Sequence, residues 1–189
     1  MRTLALLLTT LAASLFAADV PRKSPEFTLL HDGQQKLLSQ YRGKVCVVEF
    51  LFTTCPHCQH TAQMMSKLQA ELGPRGFQAI GVAFNPMATM LVPDFVRDYG
   101  PTFPIASAER DAVLSYLNLS TIERFVVPQV VIIDRKGVIR AQSPPLGDAN
   151  YQEEAYLRKL LDGLLKEGTP AAAAPPAKKP MTKAAATKK

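Results

Sequence analysis

The 189-residue chain has no tryptophan, only three cysteines and only three histidines. It has no acidic residue before Asp19 or after Glu167. Each shortage closes off a class of function. One close cysteine pair with no second pair leaves a four-ligand structural zinc site without its ligands. Attachment of a c-type haem needs histidine directly after the second cysteine, and Gln59 stands there. No cysteine lies near residue 18, so a lipid-modified N-terminus is not expected. The first apolar run, Leu4 to Phe16, is too short for a comfortable membrane span. The ends without acids also hold the whole charge of +6, leaving residues 18–167 neutral. Nothing in that balanced body argues for a nucleic-acid face.

What is present suits one globular domain with tails, at 47% hydrophobic content. Residues 1–18 read as a secretory leader: Arg2, an apolar stretch, then Ala17-Ala18. Leu15 is large for its place before a cut after Ala17, so an uncleaved anchor is the alternative. Export implies a compartment where disulfides persist. Residues 168–189 are mostly Ala, Pro, Lys and Thr and cannot repay their ordering entropy. They read as a disordered basic tail, with contact to an anionic membrane surface as its functional alternative. The domain is placed at 19–167.

Within it, Asp19 to Pro25 reads as an extended lead-in. Phe27–Leu30 and Lys36–Leu38 read as short strands about an Asp32-Gly33 turn, followed by a helical turn to Tyr41. Gly43-Lys44 precedes an apolar, β-branched strand from Val45. A helix runs from Pro56 to about Leu72, closed by Gly73-Pro74, with Met65, Leu68 and Leu72 inward. Phe77–Phe84 is a second buried strand. Residues 91–99 look helical, with Pro93 tolerable in the first turn. Phe103–Ala106 is a short strand and Glu109–Leu117 a helix. Gln129–Ile133 and Val138–Gln142 form a hairpin about Arg135-Lys136-Gly137. Residues 151–166 form an amphipathic helix. Alternating elements closed by an antiparallel hairpin predict an α/β sandwich with a mixed sheet.

The chain is organised around Val45-Cys46-Val47-Val48-Glu49-Phe50-Leu51-Phe52-Thr53-Thr54-Cys55-Pro56-His57-Cys58. A buried strand feeds a helix whose first turn carries a Cys-x-x-Cys dithiol. Free N–H groups and the partial positive charge of a helix start favour thiolate at the leading cysteine. Cys55 is therefore the candidate nucleophile and Cys58, one turn on, the resolving thiol. A purely structural disulfide would close too small a loop to constrain the unfolded chain. Cys46 lies nine residues before Cys55 on an extended strand, too far to pair with it, and reads as a buried small hydrophobe.

These residues resemble the thioredoxin fold, in particular the redoxin or TlpA/ResA-like exported thiol–disulfide oxidoreductases. The resemblance rests on Gly43-Lys44-Val45, on Cys55-x-x-Cys58, and on Val127-Pro128 with Ile133-Asp134-x-x-Gly137. It covers roughly residues 25–166. It implies a three-layer α/β/α sandwich, no cofactor, and as partners protein thiol or disulfide clients and a redox partner protein. It also implies roles. Pro56 and His57 resemble the Cys-Pro-His-Cys dipeptide of DsbA-like oxidases, in which an imidazole beside the sulfur favours the reduced form. Glu49 matches the place of a buried acid, with a raised pKa and a proton to exchange with Cys58. A solvated, edge-facing Glu49 is the blander alternative. Pro128 is implied to be cis and to face the dithiol, with the Val127 backbone pairing with an extended client.

Departures are visible. Thr54 stands where tryptophan commonly precedes the first cysteine. The peroxiredoxin pattern needs Thr three before the cysteine and Pro seven before, but Phe52 and Val48 occupy those places. Peroxidase activity is therefore disfavoured. His60 adds a nearby histidine, so the alternative to disulfide exchange is a copper or zinc delivery module using Cys55, Cys58 and a histidine. A non-catalytic, tail-anchored structural partner is a third reading.

Overall fold

The structure is a computed structural model that describes residues 20–167. The expected leader and basic tail lie outside the described residues. Eight strands are present: β1 Arg22–Lys23, β2 Thr28–His31, β3 Gln34–Leu37, β4 Val45–Leu51, β5 Phe77–Ala83, β6 Ile105–Ser107, β7 Gln129–Ile133 and β8 Val138–Gln142. Among the described residues four α-helices accompany them: α1 Pro56–Leu72, α2 Ala88–Tyr99, α3 Arg110–Leu117 and α4 Glu154–Lys166. The strands form one mixed sheet in the order β1-β8-β7-β4-β5-β6-β2-β3.

The middle of the sheet follows from β4. All seven of its residues are buried, as a continuous β-branched and aromatic run requires when both faces are covered. It pairs parallel with β5 and antiparallel with β7. Because strand side chains alternate, β4 feeds two cores. Val45, Val47 and Leu51 join the apolar sides of α1, α2 and α4. Cys46, Val48 and Phe50 meet α3, Phe27 and Leu38 on the other face. The result is the α/β sandwich with a mixed sheet that the sequence predicts.

Three elements differ from expectation. The lead-in is not merely extended, because Arg22 and Lys23 pair with Ile139 and Val138 and lengthen the sheet. The Arg22 guanidinium anchors them by donating to Tyr116 O at 3.0 Å and Gln142 Oε1 at 2.8 Å. Helix α2 begins at Ala88, so Pro93 lies inside it and not in its first turn. An Ala88 N–H bond to Asn85 O, with Met87 left-handed at φ 61°, starts the helix early. Pro93 consequently removes the ladder bond to Thr89. Tyr151 belongs to a separate 3-10 turn, Ala149–Gln152, and α4 starts after it.

Candidate active site

The site is built where β4 ends. Its last residue, Leu51, leads through Phe52, Thr53 and Thr54 to Cys55, which is the N-cap of α1. Pro56 follows at the first helical position, where its missing N–H costs nothing. The turn is closed by Cys55 N donating to Phe52 O at 3.1 Å. It is tied down from β5 by Asn85, which accepts from Thr53 N at 3.0 Å and donates to Thr53 Oγ1 at 3.2 Å. Gln59 Nε2 adds a bond to Thr53 O at 3.1 Å.

This geometry separates the two sulfurs. Cys55 is half-buried, while Cys58 is 0% exposed. Both are free thiols, as is Cys46. Cys55 Sγ donates to Val127 O at 3.8 Å, so this sulfur faces the loop that carries Pro128. The Val127–Pro128 peptide is cis. Pro128 itself is buried and Val127 half-buried. A groove of about 510 Å³ opens beside Val127 between Phe52, Phe125, Arg110 and Arg124.

Glu49 shares the α1 side of β4 and is 0% exposed, so the solvated edge position is excluded. Its ladder neighbours are Gly81 and Val130, neither of which offers a side-chain donor. Among the described residues both carboxyl oxygens lack a hydrogen-bond partner. A Cβ at Gly81 would crowd the Ile105 and Leu51 side chains, so glycine lets them pack closely over this strand. Burial holds the Glu49 carboxyl well above its ordinary value, and the charge of Cys55 pushes the same way. Cys58 is raised as well, first by burial and then by the Glu49 charge, with the Phe52 backbone bond opposing. A buried thiol whose proton affinity is raised by a neighbouring buried carboxyl can exchange a proton with it.

The remaining sequence candidates are placed less centrally. His57 is exposed, and its Nδ1 lies 3.1 Å from Gln152 Oε1 in the 3-10 turn before α4. His60 is exposed on α1. Among the described residues no group of three or more His, Cys, Asp or Glu side chains converges on a metal-sized site. Cys46 is buried on the opposite face of β4, with Sγ near Tyr41 O and Lys44 O at 3.8 and 3.9 Å. Burial pushes its thiol up to about 12, with Lys44 pulling back.

Four positioning side chains were not legible as such: Asn85, Gln129, Ser143 and Gln152. Asn85 reads only as a strand end before proline. Apart from the Gln129 bond to Val126 O, three residues back, the other three make their bonds across 13 to 95 residues of sequence and carry no local pattern.

The family model for the AhpC/TSA family matches residues 20–142, about two thirds of the chain. The chain belongs to the AhpC/TSA family. Within that family it is similar to the thiol-disulfide oxidoreductase ResA of Geobacillus kaustophilus, 29% identical over 66% of this chain and 68% of the relative. ResA of Geobacillus thermodenitrificans is 28% identical over 74% of this chain and 83% of the relative. The fold matches a thiol:disulfide interchange protein of the thioredoxin family from Chlorobium tepidum, with a TM-score of 0.62. That match has 22% identity and covers 79% of this chain and 99% of the other. This AhpC/TSA protein is a thioredoxin-fold thiol:disulfide oxidoreductase. Among its described residues no helix is long and apolar enough to cross a membrane.

Proposed function

We propose that the protein exchanges disulfides with protein clients outside the cytoplasm, through Cys55 as attacking thiol and Cys58 as resolving thiol. The observation that carries this reading is the asymmetry of the pair. Cys55 is reachable at the helix start and faces the Val127 carbonyl, whereas Cys58 is enclosed above Glu49. In the reducing direction the Cys55 thiolate attacks a client disulfide. A Cys55–client disulfide forms and the client's other sulfur leaves as thiolate. Cys58 gives its proton to the Glu49 carboxylate, attacks Cys55 Sγ, and releases the client's second thiolate. The enzyme ends as the Cys55–Cys58 disulfide, two electrons poorer, and a redox partner protein restores it. The oxidising direction is the same path reversed.

The flanking residues support that chemistry. The Val127 backbone pairs with an extended client, beside the buried Pro128 ring. Pro56 and His57 tune how strongly the dithiol form is favoured, and so which direction prevails. The leader over 1–18 delivers the domain to an oxidising compartment, the periplasm or the outside. The basic tail over 168–189 holds it near anionic membrane.

Trapping tests the reading. Cys58→Ala, Cys55→Ala and Cys46→Ala are each expressed in the exporting compartment, alkylated and run on non-reducing gels. Cys58→Ala accumulates reductant-sensitive adducts with exported proteins, because the intramolecular attack that resolves them is gone. Cys55→Ala accumulates few, and Cys46→Ala matches the parent. Equal adducts from either active-site variant refute the asymmetry. No adducts, with tight copper or zinc binding by the reduced parent, replace exchange by metal delivery.

A further inference from the structure

Gln129 opens β7 directly after Pro128, and its side chain is 0% exposed. The chain around it is short of donors, since Pro128, Pro144 and Pro145 carry no N–H. A buried carbonyl without a donor is costly. Among the described residues Val126 O has no backbone donor, and the Gln129 amide supplies one; Pro144 O and Pro145 O, which accept from Gly147 N and Val126 N, gain a second bond. Gln129 Nε2 lies 2.8 Å from Val126 O, 3.2 Å from Pro144 O and 3.0 Å from Pro145 O. An amide has two hydrogens, so one is shared between two carbonyls. At the other end Oε1 accepts from Ser143 Oγ at 3.0 Å, and that hydroxyl accepts from Val130 N at 2.9 Å. One buried side chain thus ties the loop before Pro128 to the loop after β8.

The bond to Val126 reaches the chemistry. The Val126–Val127 peptide is trans, so its C=O and N–H point in opposite directions. Holding the carbonyl inward on Gln129 turns the Val127 N–H away from that amide. Among the described residues this N–H has no acceptor. The following carbonyl, Val127 O, faces Cys55 Sγ. A strand-like client needs a donor and an acceptor of this kind on one residue beside the sulfur.

We propose that Gln129 is a positioning residue for disulfide exchange: its buried amide fixes the Val126–Val127 peptide so that the Val127 backbone is presented to an extended client beside Cys55. This rests on the reading of Val127 as client-pairing backbone and names the device that holds it ready.

The test uses the full reduced chain and two disulfide probes with one leaving group. Dithiobis(nitrobenzoate) has no peptide backbone. The other probe is a short peptide whose cysteine carries thionitrobenzoate. With the peptide, Cys55 attacks the peptide sulfur and thionitrobenzoate leaves as a coloured thiolate. Cys58 then displaces the peptide thiolate. The probe is in excess and one turnover is followed, so KM and kcat are the half-saturating probe concentration and limiting rate of that turnover. Gln129→Leu raises KM for the peptide about tenfold, the scale of one or two lost hydrogen bonds, with kcat near the parent's. It leaves the rate with dithiobis(nitrobenzoate) and the reduction potential unchanged. Ser143→Ala shifts KM the same way by less, and carries the test should Gln129→Leu not fold. A peptide N-methylated beside its cysteine reacts poorly with the parent and shows no further loss with Gln129→Leu.

Equal losses on both probes make Gln129 merely structural and overturn the proposal. Unchanged peptide KM in both variants also overturns it, while discrimination against the N-methyl peptide by the parent leaves client pairing at Val127 standing. A parent indifferent to N-methylation overturns client pairing and the positioning role with it.

Discussion

Cys46 and Cys58 are both buried thiols, on opposite sides of the sheet. Cys46 is 3% exposed and Cys58 0%. Burial raises the proton affinity of both and is the largest cause in each case. Their surroundings decide the rest. Cys46 has two backbone carbonyls as weak acceptors and a lysine whose charge lowers its affinity. Cys58 has the charge of a buried carboxyl that makes no hydrogen bond among the described residues, and a second thiol one helical turn away. Burial alone makes a thiol inert. A buried thiol becomes a redox partner when an acid that can take its proton and a sulfur that it can attack are enclosed with it.

The sharpest break of this comparison is deletion of each sulfur in turn. Cys58→Ala should lower multiple-turnover exchange by about a thousandfold or more, since an outside thiol must replace an intramolecular one. Cys46→Ala should leave turnover unchanged and lower unfolding stability by about 1 kcal/mol, the scale of a small core cavity. Steady-state kinetics and denaturant melts read the two effects.

Removing the acid comes next. Glu49→Gln should slow release of the mixed disulfide by about a hundredfold while the first attack by Cys55 persists, as stopped-flow mixing would resolve. The same variant should change the pH dependence of stability. Glu49 keeps its proton in the fold above its ordinary value of 4.5, so over that range the folded state binds more protons than the unfolded chain. Its contribution is full below 4.5 and is lost as pH rises through the raised folded value. Glu49→Gln cannot ionise and should lack that decline in melts taken from acid to neutral pH.

Access is the third contrast. Both buried thiols should resist iodoacetamide in the native protein. Asn85→Ala frees Thr53 and loosens the turn before Cys55, at a cost of about 1–3 kcal/mol for the bonds lost. Alkylation of Cys58 should speed up several-fold with no change at Cys46, read by peptide mass mapping. Equal acceleration at both would mean global loosening.

The smallest effect concerns the exposed dipeptide. His57→Pro should make the protein a weaker oxidant. Gln152→Leu removes the acceptor at His57 Nδ1 and should move the potential the same way, by less than about 30 mV. Equilibration with glutathione measures both. A shift towards stronger oxidation would reverse the assigned influence of His57.

Much of this site was legible because its parts are local. The β-branched run from Val45, the stop at Thr53-Thr54 and the helical spacing after Pro56 all act within a few residues. They place Cys55 and Cys58 on a helix start without any tertiary information. Glu49 stood out as one charge in an apolar strand. The rest was hidden by distance. Two residues at 22 and 23 show no strand pattern, and only the free edge of β8 makes them one. Pro93 suggested a first turn by its ordinary preference, and a left-handed Met87 upstream overrode that preference. Gln129 looks like any strand polar residue until the fold brings the carbonyls of Pro144 and Pro145, 15 and 16 residues along the chain, beside that of Val126 around its amide.

Glu49 has a further consequence. Its carboxyl is enclosed, holds its proton beyond the ordinary range, and makes no hydrogen bond among the described residues. An unbonded protonated carboxyl stretches at a higher infrared frequency than a bonded one, clear of the backbone amide absorption. The protein therefore carries its own vibrational label at the base of the dithiol. Its band should grow as Glu49 takes the Cys58 proton and fade as it gives one up, and Glu49→Gln should erase it.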